Sequence, residues 1–326
     1  MDAMQKCEER LASYVEHRLL DRLGLARRPF VLEPAHAGIH SLVFFLTIQD
    51  ERPLVLKIIM KSRRLRSIAA CARHLLKNGV AVPELVLVDE DNRLFNRRGM
   101  HVLCEERICG ETLQHSLQSP ALIAELAGFF ARMHGHTRNT WGDIEKGSRS
   151  GLFDYLYKKS AARVNDWSAV DGAATPALQA RLLGLLAQGE PAVNRINSFS
   201  LSHCDPNPNN VIVRTGDGKL FLLDAGTVRY MPRALDYFML QAYFCFRAKE
   251  NVSVFENAYM GHLSGPELQE FTDSHSFFRL YVAVLFMHDL TTRFAALGKD
   301  SPYHNEFAEL IPQAKKALME LLDSNG

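Results

Sequence analysis

The 326-residue chain lacks the compositional extremes that assign many proteins at a glance. Its formal net charge is only +1, so no overall excess of one sign points to nucleic acid or a membrane surface as the partner. The six cysteines (7, 71, 104, 109, 204 and 245) show no Cys-x2-Cys spacing of a zinc or redox site. With no secretory leader to read, they are expected to be reduced thiols of a cytosolic protein. Long apolar runs are missing as well. The most apolar late stretch, Phe277 to Leu290, is interrupted by Arg279, His288 and Asp289 and is too short to cross a bilayer. Internal repeats and low-complexity segments are absent. What is present is a core-forming composition, 47% apolar, over a length that suits two lobes.

Against this ordinary background one segment stands out. It runs His203-Cys-Asp205-Pro-Asn-Pro-Asn-Asn210-Val-Ile-Val, through a Gly-Asp-Gly turn, to Lys-Leu-Phe-Leu-Leu-Asp224. Val211–Val213 and Leu220–Leu223 are short β-prone runs, and Gly216 and Gly218 supply the positive φ of a tight turn, so a hairpin is expected. Antiparallel pairing makes Asn210 and Asp224 neighbours. Pro206 and Pro208 bar a helix through the preceding loop. Two carboxylates and an amide on the ends of such a hairpin suit a hydrated Mg²⁺ ion, a nucleotide and a proton acceptor, which phosphoryl transfer requires. An alternative is a solvated Asn/Pro turn followed by an unremarkable aspartate.

Upstream, residues 2–24 read as an amphipathic helix stopped by Gly24, followed by strand-like runs Leu42–Ile48 and Leu54–Met60. Ahead of the first run, Gly38 allows close backbone approach to a phosphate and Ser41 offers a hydroxyl, although an ordinary turn explains both equally well. Lys57 interrupts the second run, where its ammonium needs negative charge such as a nucleotide phosphate, unless it snorkels from an edge strand.

The run His203-x-Asp205-x4-Asn210 followed by Asp224 resembles the catalytic loop and metal-binding aspartate of the protein-kinase-like phosphotransferases. The nearest branch is that of aminoglycoside and choline kinases and bacterial lipopolysaccharide core sugar kinases. The resemblance implies an α+β, two-lobed kinase-like fold, with a small β-rich lobe over residues 1–108 and a mainly helical lobe over 109–326. It implies ATP and Mg²⁺, with Asp205 as catalytic base, Asn210 and Asp224 as metal ligands, and His203 and Asp236 as structural support. Lys57 would meet the α/β-phosphates, and backbone groups near Glu106 to Ile108 would meet the adenine. Asp-Ala-Gly at 224–226 departs from the Asp-Phe-Gly of eukaryotic protein kinases, which argues against a protein-kinase activation segment.

A second departure is an absence. Enzymes of this kind usually pair the lysine with a glutamate on the next helix, yet no Asp or Glu lies between Lys57 and Pro83. Another carboxylate, the nucleotide itself, or loss of activity in a kinase-like scaffold would account for it. The same segment carries Lys61, Arg63, Arg64 and Arg66, either a solvated helix entrance or an anion-attracting patch that resembles the lipopolysaccharide kinases. Arg229 and Arg233 are further candidates for an anionic acceptor. Trp141 and Trp167 are expected to pack rather than stack on a sugar. The acceptor expected is a hydroxyl of a small molecule or anionic glycan, with a lipopolysaccharide core sugar first and an aminoglycoside- or choline-type substrate as the alternative. Nucleic acid is not expected. The expected location is the cytoplasm, compatible with peripheral contact at the inner membrane.

Overall fold

A computed structural model describes residues 3–35, 42–90, 100–113, 119–148, 150–171, 175–246, 248–296 and 304–324. The chain forms two compact units, one of residues 1–116 with 209–227 and the other of 117–208 with 228–326. It is an α+β protein with the β-rich part first and the helical part second.

The first unit opens with α1 (Ala3–Tyr14), which passes through a π-helical turn (Val15–Leu19) into α2 (Leu20–Arg22) and stops at Gly24, φ 72°. Five antiparallel strands follow: β1 (Phe30–Pro34), β2 (Leu42–Ile48), β3 (Leu54–Ile59), β4 (Leu85–Asp89) and β5 (His101–Glu106), in the order β1-β2-β3-β5-β4. Helix α3 (Ser62–Lys77) lies between β3 and β4 in sequence, and Asn78-Gly79 ends it. Side chains alternate along the central strands. Leu54, Leu56, Ile58, Val102 and Cys104 form one core with Leu11, Tyr14 and Val15 of the N-terminal helix. Ile59 and Leu103 form another with Leu65 and Ile68 of α3.

After β6 (Gly110–Thr112), the second unit contributes α4 (Pro120–His134), β7 (Thr137–Arg138), α5 (Leu152–Asp171), α6 (Pro176–Gln188), α7 (Glu190–Asn194) and β8 (Phe199–Ser202). The chain then returns to the first unit for β9 (Val211–Arg214) and β10 (Leu220–Leu222). Gly110–Thr112 pairs with β9, so the expected hairpin is part of a three-stranded sheet, β10-β9-β6. Gly110 sits so tightly there that a Cβ would come within 2.0 Å of the Val213 carbonyl oxygen. The second unit resumes with β11 (Arg229–Met231), which pairs with β8. It closes with α8 (Arg233–Leu240), a π-helical turn (Gln241–Cys245), α9 (Glu250–Met260), α10 (Gly265–Ala296) and α11 (His304–Ser324). Its core is strongly aromatic, with Tyr237 against Phe238, Phe255, Tyr259 and Phe271 at ring separations of 4.8–5.3 Å. Helix α5 runs through Asp171, with Val164 and Trp167 completely buried on its inner face.

Candidate active site

In the first unit Lys57 finds a carboxylate on a neighbouring strand. Lys57 pairs across β3–β5 with Leu103, and Glu105 lies opposite Val55, two residues along on the same sheet face. The Lys57 Nζ and Glu105 Oε1 are 2.5 Å apart, with side chains 19% and 10% exposed. Burial works to depress the lysine pKa. The Glu105 charge, its hydrogen bond and the Asp224 charge outweigh it, so Lys57 is held above its ordinary value and stays cationic. The acid missing from α3 is therefore supplied by β5.

Asp224 shares the electrostatic neighbourhood of that ammonium. It is exposed and has φ of 50°, a left-handed conformation uncommon for most side chain-bearing residues but one that aspartate adopts more readily than most. A 3-10 turn, Ala225–Thr227, packs on α3 immediately after it, and the Gly226 N–H donates to Asp224 Oδ1 at 3.4 Å. A Cβ on Gly226 would press on Ile68 Cγ1 at 3.1 Å and Asp224 Oδ1 at 3.2 Å, so glycine lets the aspartate sit close over the helix. Asn210 ends a 3-10 turn, Pro208–Asn210, and its carbonyl accepts from the Leu223 N–H at 2.8 Å. The hairpin register thus brings Asn210 opposite the residue before Asp224.

Ile108 is buried with Ile212 and Phe221 beneath the hairpin, with Ala81 and Leu223 packed around it. The N–H groups of Glu106 and Arg107 are taken by the carbonyls of Glu84 and Pro53, at 2.9 and 3.0 Å. Gly38 and Ser41 lie outside the described residues.

In the second unit, Asp205 is partly exposed, and its Oδ1 accepts from Asn207 Nδ2 at 2.9 Å. The preceding Cys204 has φ of 63°. A left-handed turn of this kind persists only when its surroundings fix it, and here Asp236 does so. Fully buried, its carboxylate accepts from the backbone N–H groups of His203 (2.6 Å) and Cys204 (2.9 Å). His134 Nε2 lies 3.3 Å from the same carboxylate, and His134 Nδ1 lies 2.6 Å from the Tyr259 hydroxyl. Burial and the Asp236 charge both raise the Tyr259 pKa, with burial larger, so the phenol keeps its proton and donates to Nδ1 while Nε2–H donates to Asp236. The His203 side chain is also fully buried.

The remaining candidates separate clearly. Arg233 is 4% exposed and ion-paired with Glu267, so it is not available to an acceptor. Arg229 is half-buried and donates to the Tyr155 hydroxyl at 3.3 Å. Trp141 and Trp167 are 9% and 0% exposed and pack. Lys61, Arg63, Arg64 and Arg66 are exposed on the entrance to α3, with Arg66 paired to Glu90. Glu105 escaped sequence reasoning because its pairing depends on β3 and β5 being neighbours across an intervening helix and strand. Its only local signal was an acid in the apolar run of β5.

The fold is shared with solved kinases. The chain matches the apo form of a thermostable aminoglycoside phosphotransferase APH(4)-Ia at TM-score 0.65 and 16% identity, covering 96% of this chain and 99% of that one. It matches an ethanolamine kinase of Plasmodium vivax at TM-score 0.62 and 16% identity, over 96% and 89% of the two chains. It also matches a spectinomycin phosphotransferase in complex with ADP and spectinomycin at TM-score 0.57 and 11% identity, over 94% and 97%. No curated protein matches the chain in sequence. The model of the phosphotransferase enzyme family matches residues 31–265, which span both the Lys57–Glu105 pair and the Asp205–Asp224 segment, and the chain belongs to that family.

Proposed function

We propose that the protein moves the γ-phosphoryl group of ATP to a hydroxyl of a small molecule or glycan. The observation that carries this reading is the half-buried Lys57 ammonium, held between Glu105 and the charge of Asp224. Such a cation, oriented by one acid and adjacent to another, is suited to nucleotide phosphates. The solved spectinomycin phosphotransferase with the same fold holds ADP, which supports nucleotide use here. Asn210 and Asp224 offer an amide oxygen and a carboxylate, the hard oxygen donors that Mg²⁺ prefers, and would hold it. A bound Mg²⁺ supplies neutralisation of the phosphate charge.

In this reading Lys57 neutralises the α/β-phosphates and a backbone group near Ile108 serves the adenine edge. Asp205 takes the proton of the acceptor hydroxyl as its oxygen forms a bond to the γ-phosphorus and the bond to ADP breaks. Asp236 holds the loop that carries Asp205, and His203 packs beneath it. The chain divides functionally near residue 108, into a nucleotide-binding lobe and an acceptor-binding lobe, except that the 209–227 hairpin carrying Asn210 and Asp224 belongs with the first. A lipopolysaccharide core sugar is the first acceptor to try, supported by the resemblance of the basic segment 61–66 and the run to Pro83. Aminoglycosides and amino alcohols follow. A cytoplasmic location agrees with the finding that no helix among the described residues is long and apolar enough to cross a membrane. The absence of an acidic partner was the ground for an inactive scaffold, and Glu105 removes that ground.

The test is phosphate transfer from Mg²⁺-ATP to a panel of sugars, aminoglycosides, amino alcohols and core oligosaccharide, beside Asp205→Asn. Transfer is expected with the native protein and a loss of at least a hundredfold with the variant, as for removal of a general base. Undiminished transfer by Asp205→Asn would refute its assigned role. ATP binding without transfer to any hydroxyl would return the scaffold reading.

A further inference from the structure

Beside the Asp205 loop, the second unit carries a group of hydrogen-bond donors with no anion to receive them. Arg163, on α5, donates from Nη1 to the Tyr281 hydroxyl of α10 at 2.9 Å. Arg229, on β11, donates from Nη1 to the Tyr155 hydroxyl of α5 at 3.3 Å. Both guanidinium groups therefore end on neutral phenols. Among the described residues neither lies within ion-pair distance of a carboxylate, and Arg229 Nε is sealed from solvent without a hydrogen-bond partner. Each tyrosine oxygen already accepts from an arginine, which leaves its own O–H to donate onward. Lys159 adds a cation 5.1 Å over the Tyr155 ring.

Chain geometry connects this group to the proposed chemistry. Arg229 stands opposite Ser202 in the β8–β11 register, three residues before Asp205. Tyr281 lies within electrostatic range of Tyr155 and of Cys204, the residue preceding Asp205. Tyr243, in the π-helical turn, lies within range of Asp205 and Arg163 together, and also of Asp289 and Arg293. None of the nearby acids among the described residues comes within ion-pair distance of either arginine. Asp289 is 3.1 Å from His288 Nδ1, and the other ring nitrogen of His288 is 3.7 Å from Asp166, so these carboxylates converge on the histidine.

We propose that Arg163 and Arg229, with the hydroxyls of Tyr281 and Tyr155, form an oxyanion subsite that selects an acceptor bearing a phosphate or carboxylate group besides its reacting hydroxyl. Planar guanidinium groups bind such oxyanions through paired, charge-assisted hydrogen bonds. A polycationic acceptor would meet two cations that have no ion-pair partner among the described residues. This assignment rests on Asp205 serving the acceptor hydroxyl and goes beyond it by naming the acceptor's charge class. These residues act by positioning the acceptor.

Trp141 lies 5.0 Å from the Tyr155 ring and gives a direct readout. Sodium phosphate is titrated into the native chain at ionic strength held constant with chloride, following tryptophan emission, with sodium acetate as a parallel arm. A saturable response is expected. Arg163→Gln and Arg229→Gln are each expected to weaken it about tenfold, the loss of one charge-assisted hydrogen bond. Arg163→Lys is expected to recover part, and Lys57→Met to retain the response, placing it away from the nucleotide lysine. If one glutamine variant fails to fold, the other and Tyr281→Phe carry the comparison. Response to phosphate, acetate or both supports the subsite and distinguishes the oxyanion. No saturable response, or unchanged midpoints in the glutamine variants, overturns it. Transfer to glucose and glucose 6-phosphate then separates the two readings. A phosphate response with no transfer to any hydroxyl sinks the kinase reading alone, whereas transfer without the response sinks the subsite alone.

Discussion

Glu105 shows how one side chain changes the meaning of another. An ammonium at the position of Lys57, flanked by Leu56 and Ile58 at 0% and 1% exposure, is costly unless a fixed negative charge compensates it. Glu105 provides that charge from a strand, so the lysine is oriented without an acid on α3. Glu105→Gln keeps the shape and removes the charge, leaving the Asp224 charge still acting on Lys57. The expected loss is that of a charge-assisted hydrogen bond, about 1.5–3 kcal/mol, or roughly 10- to 150-fold in kcat/KM for Mg²⁺-ATP. Steady-state kinetics on a competent acceptor measure it. A value within twofold of the native enzyme would show that the pair is only structural. At this scale Lys57, Asp205, Asn210 and Asp224 were legible because each breaks a local pattern. Glu105 was not, because strand neighbourhood is decided by β3–β5 pairing across residues 60–100, and no short-range spacing encodes that.

At the scale of elements, the Asp205 loop is held by helices far away in sequence. Helix α8 supplies Asp236, α4 supplies His134 and α9 supplies Tyr259, and their hydrogen bonds converge on the backbone of residues 203 and 204. Local chemistry announced the turn and the hairpin, through proline and glycine. It did not announce β6 as a third strand, since Gly110–Thr112 is too short to read alone, nor that α4 would supply His134. His134 carries a pH consequence. Burial, the dominant effect, and the Arg233 charge lower its pKa below the ordinary 6.5, while Asp236 opposes them through a hydrogen bond and its charge. The folded state thus favours the neutral ring, whereas the unfolded chain takes up a proton near pH 6.5. The stabilisation is fully present above pH 6.5 and is lost as pH falls from there toward the lower folded value, by at most about 1.4 kcal/mol per pH unit. Urea unfolding of the native protein at pH 8.0 and 5.5 should show a larger drop than the same comparison on His134→Gln. Equal drops would mean that other groups set the acid limit.

For the whole molecule, the division into units gives each a separate means of stabilisation. The second unit relies on aromatic packing and carries both tryptophans, Trp141 and Trp167. The first carries none and ties its N-terminal helix to β4 through one buried acid. Asp89, 2% exposed, accepts from the Tyr14 hydroxyl at 2.9 Å and from Arg18 Nε and Nη2 at 2.8 and 3.1 Å, with Arg22 3.3 Å away. Burial alone would raise its pKa, but the Arg18 and Tyr14 hydrogen bonds and the arginine charges more than offset that and hold it below the ordinary carboxylate value. The network is asymmetric. Removing Arg18 leaves a sealed carboxylate short of its main partner, whereas removing the charge of Asp89 leaves arginines 32% and 43% exposed, which water can reach. Arg18→Met is therefore expected to destabilise by about 3 kcal/mol and Asp89→Asn by less. Far-UV circular dichroism follows unfolding of both units, while tryptophan emission follows the second. The Arg18→Met shift in urea midpoint should be larger in circular dichroism than in emission. The reverse order of the two variants would show that desolvating the acid does not dominate this clamp, and equal shifts by both probes would show that the units unfold as one.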